Sequence, residues 1–280
     1  MSEPVLYLVG TPIGNLSDIS PRCREILASV DFIAAEDTRN TLKLLNYLEI
    51  KKPLISYFEH NKRERGLEIL SRIREGKTCA LVTDAGMPGI SDPGEDLVKL
   101  LAEEGYTVSV VPGPCALIAA LVLSGLPTGR FSFQGFLSTA KKSRREHLES
   151  VKYTQETLIF YEAPQKLRNT LHDFMETFGD RRVALCRELT KLHETVQRGT
   201  LSEMIAFYEG NDPRGEYVIV IEGAAEERQE EAFWQKLSVA AHVDYYVQTG
   251  MTKKEAIKAA ATDRGVAKNE VYNEVMKKEP

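Results

Sequence analysis

The chain has 280 residues, with 36 Lys and Arg against 41 Asp and Glu, and its net charge of −5 excludes a protein that coats nucleic acid over its whole surface. At about 150 residues per domain, this length makes one large domain or two ordinary ones, either able to bury a core without disulfides. The four cysteines, Cys23, Cys79, Cys115 and Cys186, form no C-x-x-C pair for zinc or thiol exchange, and a reduced, cytoplasmic location fits them.

The amino terminus, MSEPVLYLVGTPIGN, shows no cationic leader, and its apolar run is far shorter than the ~20 residues of a membrane span, so neither secretion nor membrane insertion is expected. From Val5 onward, short β-branched runs alternate with stretches of helical period. VLYLV, DFIAAE, PLISYF, CALVTD and YTVSVVP predict buried strands, being almost continuously apolar. Between them, Ser20-Pro21 starts a helix over Arg22 to Val30, Asn61 one over Lys62 to Glu75, and Ser91-Asp92-Pro93 one over Glu95 to Glu104. Gly76 and Gly105 end the last two. Such alternation implies βαβ units and a largely parallel sheet.

SGLPTGR marks a joint near Gly125 to Arg130, after which RFSFQGF, TLIFYEA, RRVALCREL and GEYVIVIEG predict a second α/β unit with some antiparallel strands. The acidic stretch Glu226 to Glu231 (EERQEE) predicts a linker, and the chain beyond it has helical period only, ending in two short helices around Asp263-Arg264-Gly265-Val266. The expected organisation is an α/β unit over residues 1–124, a second over 125–225, and an acidic linker with a helical tail over 226–280.

No G-x-G-x-x-G follows VLYLV, and no G-x-x-x-x-G-K-[ST], G-x-S-x-G or H-E-x-x-H occurs, which removes the ordinary dinucleotide, P-loop, serine-hydrolase and zinc-protease readings. Gly/Pro-rich turns instead follow three strands: VGTPIGN after the first, TDAGMPGISDPG after the fourth and VPGPCA after the fifth. Ligands of open parallel sheets bind at those strand ends, where glycine lets backbone N–H and C=O groups come close; three such loops on one edge predict a small-molecule site.

The ordered set GTPIGNLSDIS, AEDTRNT, SYFEHN, VTDAGMPGISDPG, VPGPCALIAAL, FQGFL, FYEAPQKL and CRELTKLHE closely resembles the ribosomal RNA small-subunit methyltransferase I family, of the tetrapyrrole-methylase (class III) superfamily. The resemblance covers about residues 4 to 225 and implies two α/β units with an S-adenosylmethionine cleft between them. It also implies 2′-O-methylation of a cytidine in 16S rRNA within the small ribosomal subunit, and a homodimer. It places the cofactor at Thr11 and Pro12, at Asp84, Ala85, Gly86, Met87, Pro88 and Ile90, at Cys115 and Ala116, and at Phe136 and Ala163. Superfamily relatives often carry G-x-G-P-G in the first loop and Gly-Asp-Pro in the second; GTPIG and AGMPG depart from both, against a porphyrin substrate.

Methyl transfer from a sulfonium is an in-line displacement that needs no metal, and alignment supplies much of the acceleration. A carboxylate or imidazole near the weakly nucleophilic 2′-hydroxyl removes its proton. Asp37, His60 and Glu188 are the candidates. Each has a plainer alternative: a helix N-cap for Asp37, a solvated loop for His60, an ion pair for Glu188. Arg39, Lys62, Arg63 and Arg187 adjoin predicted strand ends and are the candidate phosphate contacts, while KKSRR at 141–145 is either a further basic patch or a solvated face. The tail either grips RNA or ribosomal protein as a helix-turn-helix-like module, or covers the rest of the protein as a helical hairpin. Two rival functions are a methylase of small tetrapyrrole-like molecules and a non-catalytic nucleic-acid-binding regulator.

Overall fold

The computed structural model describes residues 3, 5–225, 234 and 237–276, which fall into two compact units, Met1–Ala224 and Ala225–Pro280. The expected linker at Glu226 to Glu231 lies outside the described residues.

The first sheet of the larger unit is built from β1 (Leu6–Val9), β2 (Phe32–Ala35), β3 (Leu54–Ser56), β4 (Cys79–Val82) and β5 (Val108–Val111). The pairings are all parallel, in the order β3-β2-β4-β1-β5. Helices supply the crossovers that parallel neighbours need: α1 (Pro21–Ser29), α2 (Thr38–Tyr47), α3 (Lys62–Arg74) and α4 (Glu95–Glu103). Their starts follow the sequence signals. Ser20 Oγ accepts from Cys23 N with Pro21 at the first helical position, and Asp37 caps α2 by accepting from Arg39 N.

Strands β2 and β4 are buried throughout, as their apolar runs predict. β5 is not: it forms the edge of the sheet and leaves Val110 about half exposed. Hydropathy alone cannot separate a central strand from an edge strand with an uncovered face.

The second sheet contains β6 (Phe131–Phe136), β7 (Thr157–Glu162), β8 (Arg182–Arg187), β9 (Thr195–Thr200) and β10 (Tyr217–Ile221), in the order β6-β7-β10-β8-β9. Only β6 and β7 run parallel; β10 is antiparallel to both β7 and β8, and β8 to β9. Strand β9, TVQRGT, lacks an apolar run and escaped the hydropathy pattern because it is a partly exposed edge strand. Helices α6 (Lys141–Val151), α7 (Leu167–Phe178) and α8 (Leu201–Gly210) complete this layer, packing Leu148, Phe174 and Met204 with Phe160 and Ile219.

Helix α5 (Ala116–Ser124) precedes the expected joint yet packs on the second sheet. Leu117, Ala120 and Leu121 meet Ile159, Ala184 and Val220. That stripe takes positions i, i+3 and i+4, and the opposite side of this helix, apolar up to Ser124, leaves Ile118 and Leu123 part-exposed and Val122 69% exposed.

The smaller unit has three described helices, α9 (Val239–Gln248), α10 (Lys253–Arg264) and α11 (Lys268–Met276), around Val243, Ile257, Ala260, Val271 and Val275. Thr252 and Glu255 form a reciprocal capping box, and Gly265, at φ 64°, ends α10 at the turn that the sequence marked. Arg264 Nε donates to His242 Nδ1 at 3.1 Å, leaving Nε2, 3.2 Å from Asp263, to carry the imidazole proton. No helix among the described residues is long and apolar enough to cross a membrane.

Candidate active site

Because β4, β1 and β5 are adjacent, the three Gly/Pro loops that follow them lie side by side. They touch through backbone. Thr11 N donates to Gly86 O (2.9 Å) and Gly86 N to Thr11 O (3.2 Å), a two-way bridge between the first and second loops. A Cβ on Gly10 would stand 2.7 Å from Gly113 Cα, and one on Gly113 would stand 2.8 Å from the Gly10 backbone, so no side chain fits where the first and third loops cross. Gly86 (φ 86°), Gly89 (φ 83°) and Ser91 (φ 64°) fold the second loop through left-handed conformations.

A cavity of about 510 Å³ opens above these loops, within the usual size of small-molecule sites. The first sheet contributes Ile13, Glu36, Thr83 to Met87, Ile90 to Asp92, Cys115 and Ala116. The second contributes Phe136, Tyr161 to Pro164, Cys186, Glu188, Leu189, Lys191 and Glu216 to Val218. Nine of the expected cofactor positions line it: Asp84, Ala85, Gly86, Met87, Ile90, Cys115, Ala116, Phe136 and Ala163. Thr11, Pro12 and Pro88 lie outside the lining. Thr11 is buried beneath it, its Oγ1 donating to Thr83 O at 3.3 Å, and acts as a tie between loops.

Three carboxylates stand on the first-sheet side. Glu36 follows β2 and Thr83 follows β4; since these strands pair in register, Thr83 Oγ1 reaches Glu36 Oε2 at 2.5 Å. Asn40 of α2 donates to Asp84 Oδ2 at 3.2 Å. Burial, then the neighbouring charges of Glu36 and Asp37, raise the Asp84 carboxyl against that bond. Asp92 is lifted to about 6, by burial first and by Glu36 and Asp84 after it, with Thr83 opposing. Glu36 and Asp92 belong to the motifs AEDTRNT and TDAGMPGISDPG, but nothing in their spacing shows that the fold faces them into one cavity.

Of the three candidate bases, Glu188 alone lines the cavity. It sits at φ 51° after β8, its Oε1 accepting from Glu216 N (2.9 Å) and Lys191 Nζ (3.0 Å). Burial raises this carboxyl, but those two bonds and the Arg187 charge outweigh it and hold it below the ordinary carboxylate range. Asp37 is not in the lining. It caps α2, and its hydrogen bonds from the Arg39 side chain and backbone lower it to about 2, a poor proton acceptor. His60 is also outside the lining, exposed in a turn with its ring 6.3 Å from that of Phe58.

The candidate phosphate contacts differ in how far their charge is spent. Lys62 Nζ is held by Asp96 (2.6 Å) and Glu59 (2.9 Å). Arg187 donates from Nη2 to His193 O, and its Nε is buried without a hydrogen-bond partner. Arg39 pairs with Asp37 but its side chain is 86% exposed, and Arg63 is exposed on α3. In the basic run, Lys141, Lys142 and Arg145 are exposed, whereas Arg144 is turned inward.

Two sheets joined at a strand-end cavity, with the loops after β1, β4 and β5 as its floor, define a class. The family of Tetrapyrrole (Corrin/Porphyrin) Methylases matches residues 5–205, and the chain is a methyltransferase of that family. The solved structure of the methyltransferase CobJ has the same fold, with a TM-score of 0.60 at 20% identity over 81% of this chain and 97% of its own. Within the family, the chain belongs with the proteins called ribosomal RNA small subunit methyltransferase I. The one from Halalkalibacterium halodurans is 49% identical over 269 residues, 96% of this chain and 93% of its own length. The one from Thermotoga maritima is 49% identical over 218 residues, 98% of its own length but only 78% of this chain.

Proposed function

We propose that this chain transfers the methyl group of S-adenosylmethionine to the 2′-oxygen of a cytidine ribose in 16S rRNA of the small ribosomal subunit, in the cytoplasm and as a homodimer. The observation that carries the reading is the make-up of the cavity, which sets the clustered carboxylates Glu36, Asp84 and Asp92 among largely apolar surface, in a chain whose relatives bear an rRNA methyltransferase name. When bound, S-adenosylmethionine supplies a methyl group on a positively charged sulfur. The residues present fit it: Glu36, Asp84 and Asp92 suit its sulfonium and ammonium charges, and Ile13, Met87, Leu189 and Val218 suit its apolar surface.

Asp92 is the group we assign to take the 2′-hydroxyl proton. Near neutral pH it is mostly ionised, yet it binds a proton more tightly than an ordinary carboxylate. Glu188, fixed by Lys191 and the Glu216 backbone, shapes the second-sheet wall. Arg39 and Arg63, with Lys141, Lys142 and Arg145, take the RNA phosphates; Lys62 and Arg187 hold the structure beneath them. The dimer forms through the uncovered side of α5, at Ile118 and Val122.

The deciding experiment incubates purified small subunits with the protein and methyl-labelled S-adenosylmethionine, then maps linkages that resist alkali. A 2′-O-methyl group blocks alkaline cleavage because the 2′-oxygen is the attacking group. Label on one cytidine at an alkali-resistant linkage is expected; label confined to a base refutes the ribose assignment.

A further inference from the structure

Glu162, the last residue of β7, lines the cavity while being 3% exposed. A buried carboxylate needs hydrogen bonds in place of water. Its Oε1 accepts from Ala163 N at 2.8 Å and its Oε2 from Thr170 Oγ1 at 2.5 Å. Thr170, one turn into α7, is itself fully buried. Its hydroxyl has a single proton, and of the two acceptors in reach the charged Glu162 Oε2 is closer than Lys166 O at 3.1 Å; with the O–H donating to Glu162, the oxygen accepts from Arg144 Nη2 at 2.7 Å. Arg144 is only 11% exposed, and its Nε binds Asp173, one turn further along α7, at 2.5 Å. A continuous hydrogen-bonded path therefore runs from α6 through α7 to the backbone of Ala163, which with Pro164 walls the cavity.

We propose that Thr170 and Arg144 are positioning residues for the methyl-donor pocket, acting through Glu162 to fix the Ala163 backbone and the turn after it. The proposal rests on the reading of the cavity as the methyl-donor site. It also separates the basic run 141–145 into two jobs: Lys141, Lys142 and Arg145 face outward, while Arg144 serves the pocket wall. Without the Thr170 hydroxyl, Glu162 Oε2 and Arg144 Nη2 each lose a partner inside the protein, and the carboxylate is free to rotate away from Ala163 N.

The test is calorimetric binding of S-adenosylmethionine to the full chain, paired with steady-state methylation of small subunits. Thr170→Val is expected to weaken donor affinity about tenfold and raise the donor KM to match, with kcat at saturating donor changed by less than about threefold, since the wall and not the reacting group is disturbed. Thr170→Ser keeps the hydroxyl and is expected to bind like the parent. Unchanged affinity in Thr170→Val, or a Ser variant as weak as the Val variant, overturns the proposal. If the Val variant does not fold, Arg144→Gln is read instead, with a weaker donor affinity expected and an unchanged one overturning. A parent chain that binds no S-adenosylmethionine sinks the donor-site reading as well, whereas parent binding with an unaffected Val variant sinks this proposal alone.

Discussion

Replacing Gly10 by alanine tests the packing of the loops that floor the cavity. Gly10 has no positive φ, so its backbone tolerates alanine and the objection is space alone. The new Cβ would meet Met87 Sδ at 2.6 Å and the Gly113 backbone at 2.7 Å (Cα) and 2.8 Å (N). The methionine can rotate away, but a main chain cannot. Carbon atoms rest at about 3.5–4.0 Å, so the loops after β1 and β5 must part by roughly 0.8–1.3 Å. Overpacking of this kind costs about 1–3 kcal/mol, and each kcal/mol lowers Tm by about 2–4 °C. Cys115 and Ala116, just beyond Gly113, line the cavity, and a displacement near 1 Å costs about 100-fold in rate. The assays are calorimetric unfolding and single-turnover methylation of small subunits, with Gly129→Ala as the control, since a Cβ there meets nothing within 4 Å. Gly113→Ala should behave like Gly10→Ala, and the double variant should cost less than the two summed, because one separation relieves both. A Gly10→Ala protein matching the Gly129→Ala control in both Tm and turnover refutes the reasoning.

Three further outcomes are expected. Asp92 binds its proton more tightly in the folded chain, at about 6 against an ordinary 3.8, so its contribution to stability is full below about pH 4 and is lost as pH rises through 6. Activity should climb over that same window as the carboxylate forms; Asp92→Asn should flatten the climb, lower the rate about 10²–10⁴-fold, and raise Tm above pH 7. Thr252→Ala removes half of the capping box on α10 and should cost the smaller unit about 1 kcal/mol, read as faster amide exchange across α10, with Thr252→Ser near neutral. Ile118→Glu combined with Val122→Glu places two charges on the uncovered side of α5; on the proposed dimer, sedimentation should register a dimer for the parent and a monomer for this variant, and a parent that sediments as a monomer refutes it.

The strand-end loops were legible because their chemistry is local: glycine and proline at a βα turn announce themselves in a few residues. Helix starts were legible for the same reason, as at Ser20-Pro21 and at Thr252 with Glu255. Features that depend on distant parts of the chain were not. Glu36 and Asp92 are far apart in sequence and share a cavity only because β2 pairs with β4 and the second loop bends back through three left-handed residues. Asp37 stands one residue beyond Glu36, yet it caps α2 and Glu36 faces the cavity, a difference of orientation that residue type does not encode. Helix α5 carries apolar residues on every side, so the sequence cannot say which stripe is buried or which sheet buries it. The run 141–145 hides the inward turn of Arg144 among four residues of similar polarity, and only the packing of α6 on α7 separates them.

The position of β10 orders the events of folding. It is the last strand of the larger unit to be synthesised, yet it lies at the centre of the second sheet, fully buried between β7 and β8. Until residue 221 has emerged, β6 with β7 and β8 with β9 can pair only as separate halves, each presenting an apolar strand edge of the kind that invites aggregation. The first sheet passes through the same stage earlier: its central strand β4 joins β1 to the β2–β3 pair, and those halves stay apart until residue 82 has emerged. A nascent chain stalled between residues 200 and 217 would therefore hold one finished sheet and one divided sheet, and a holding chaperone would have its work on the second.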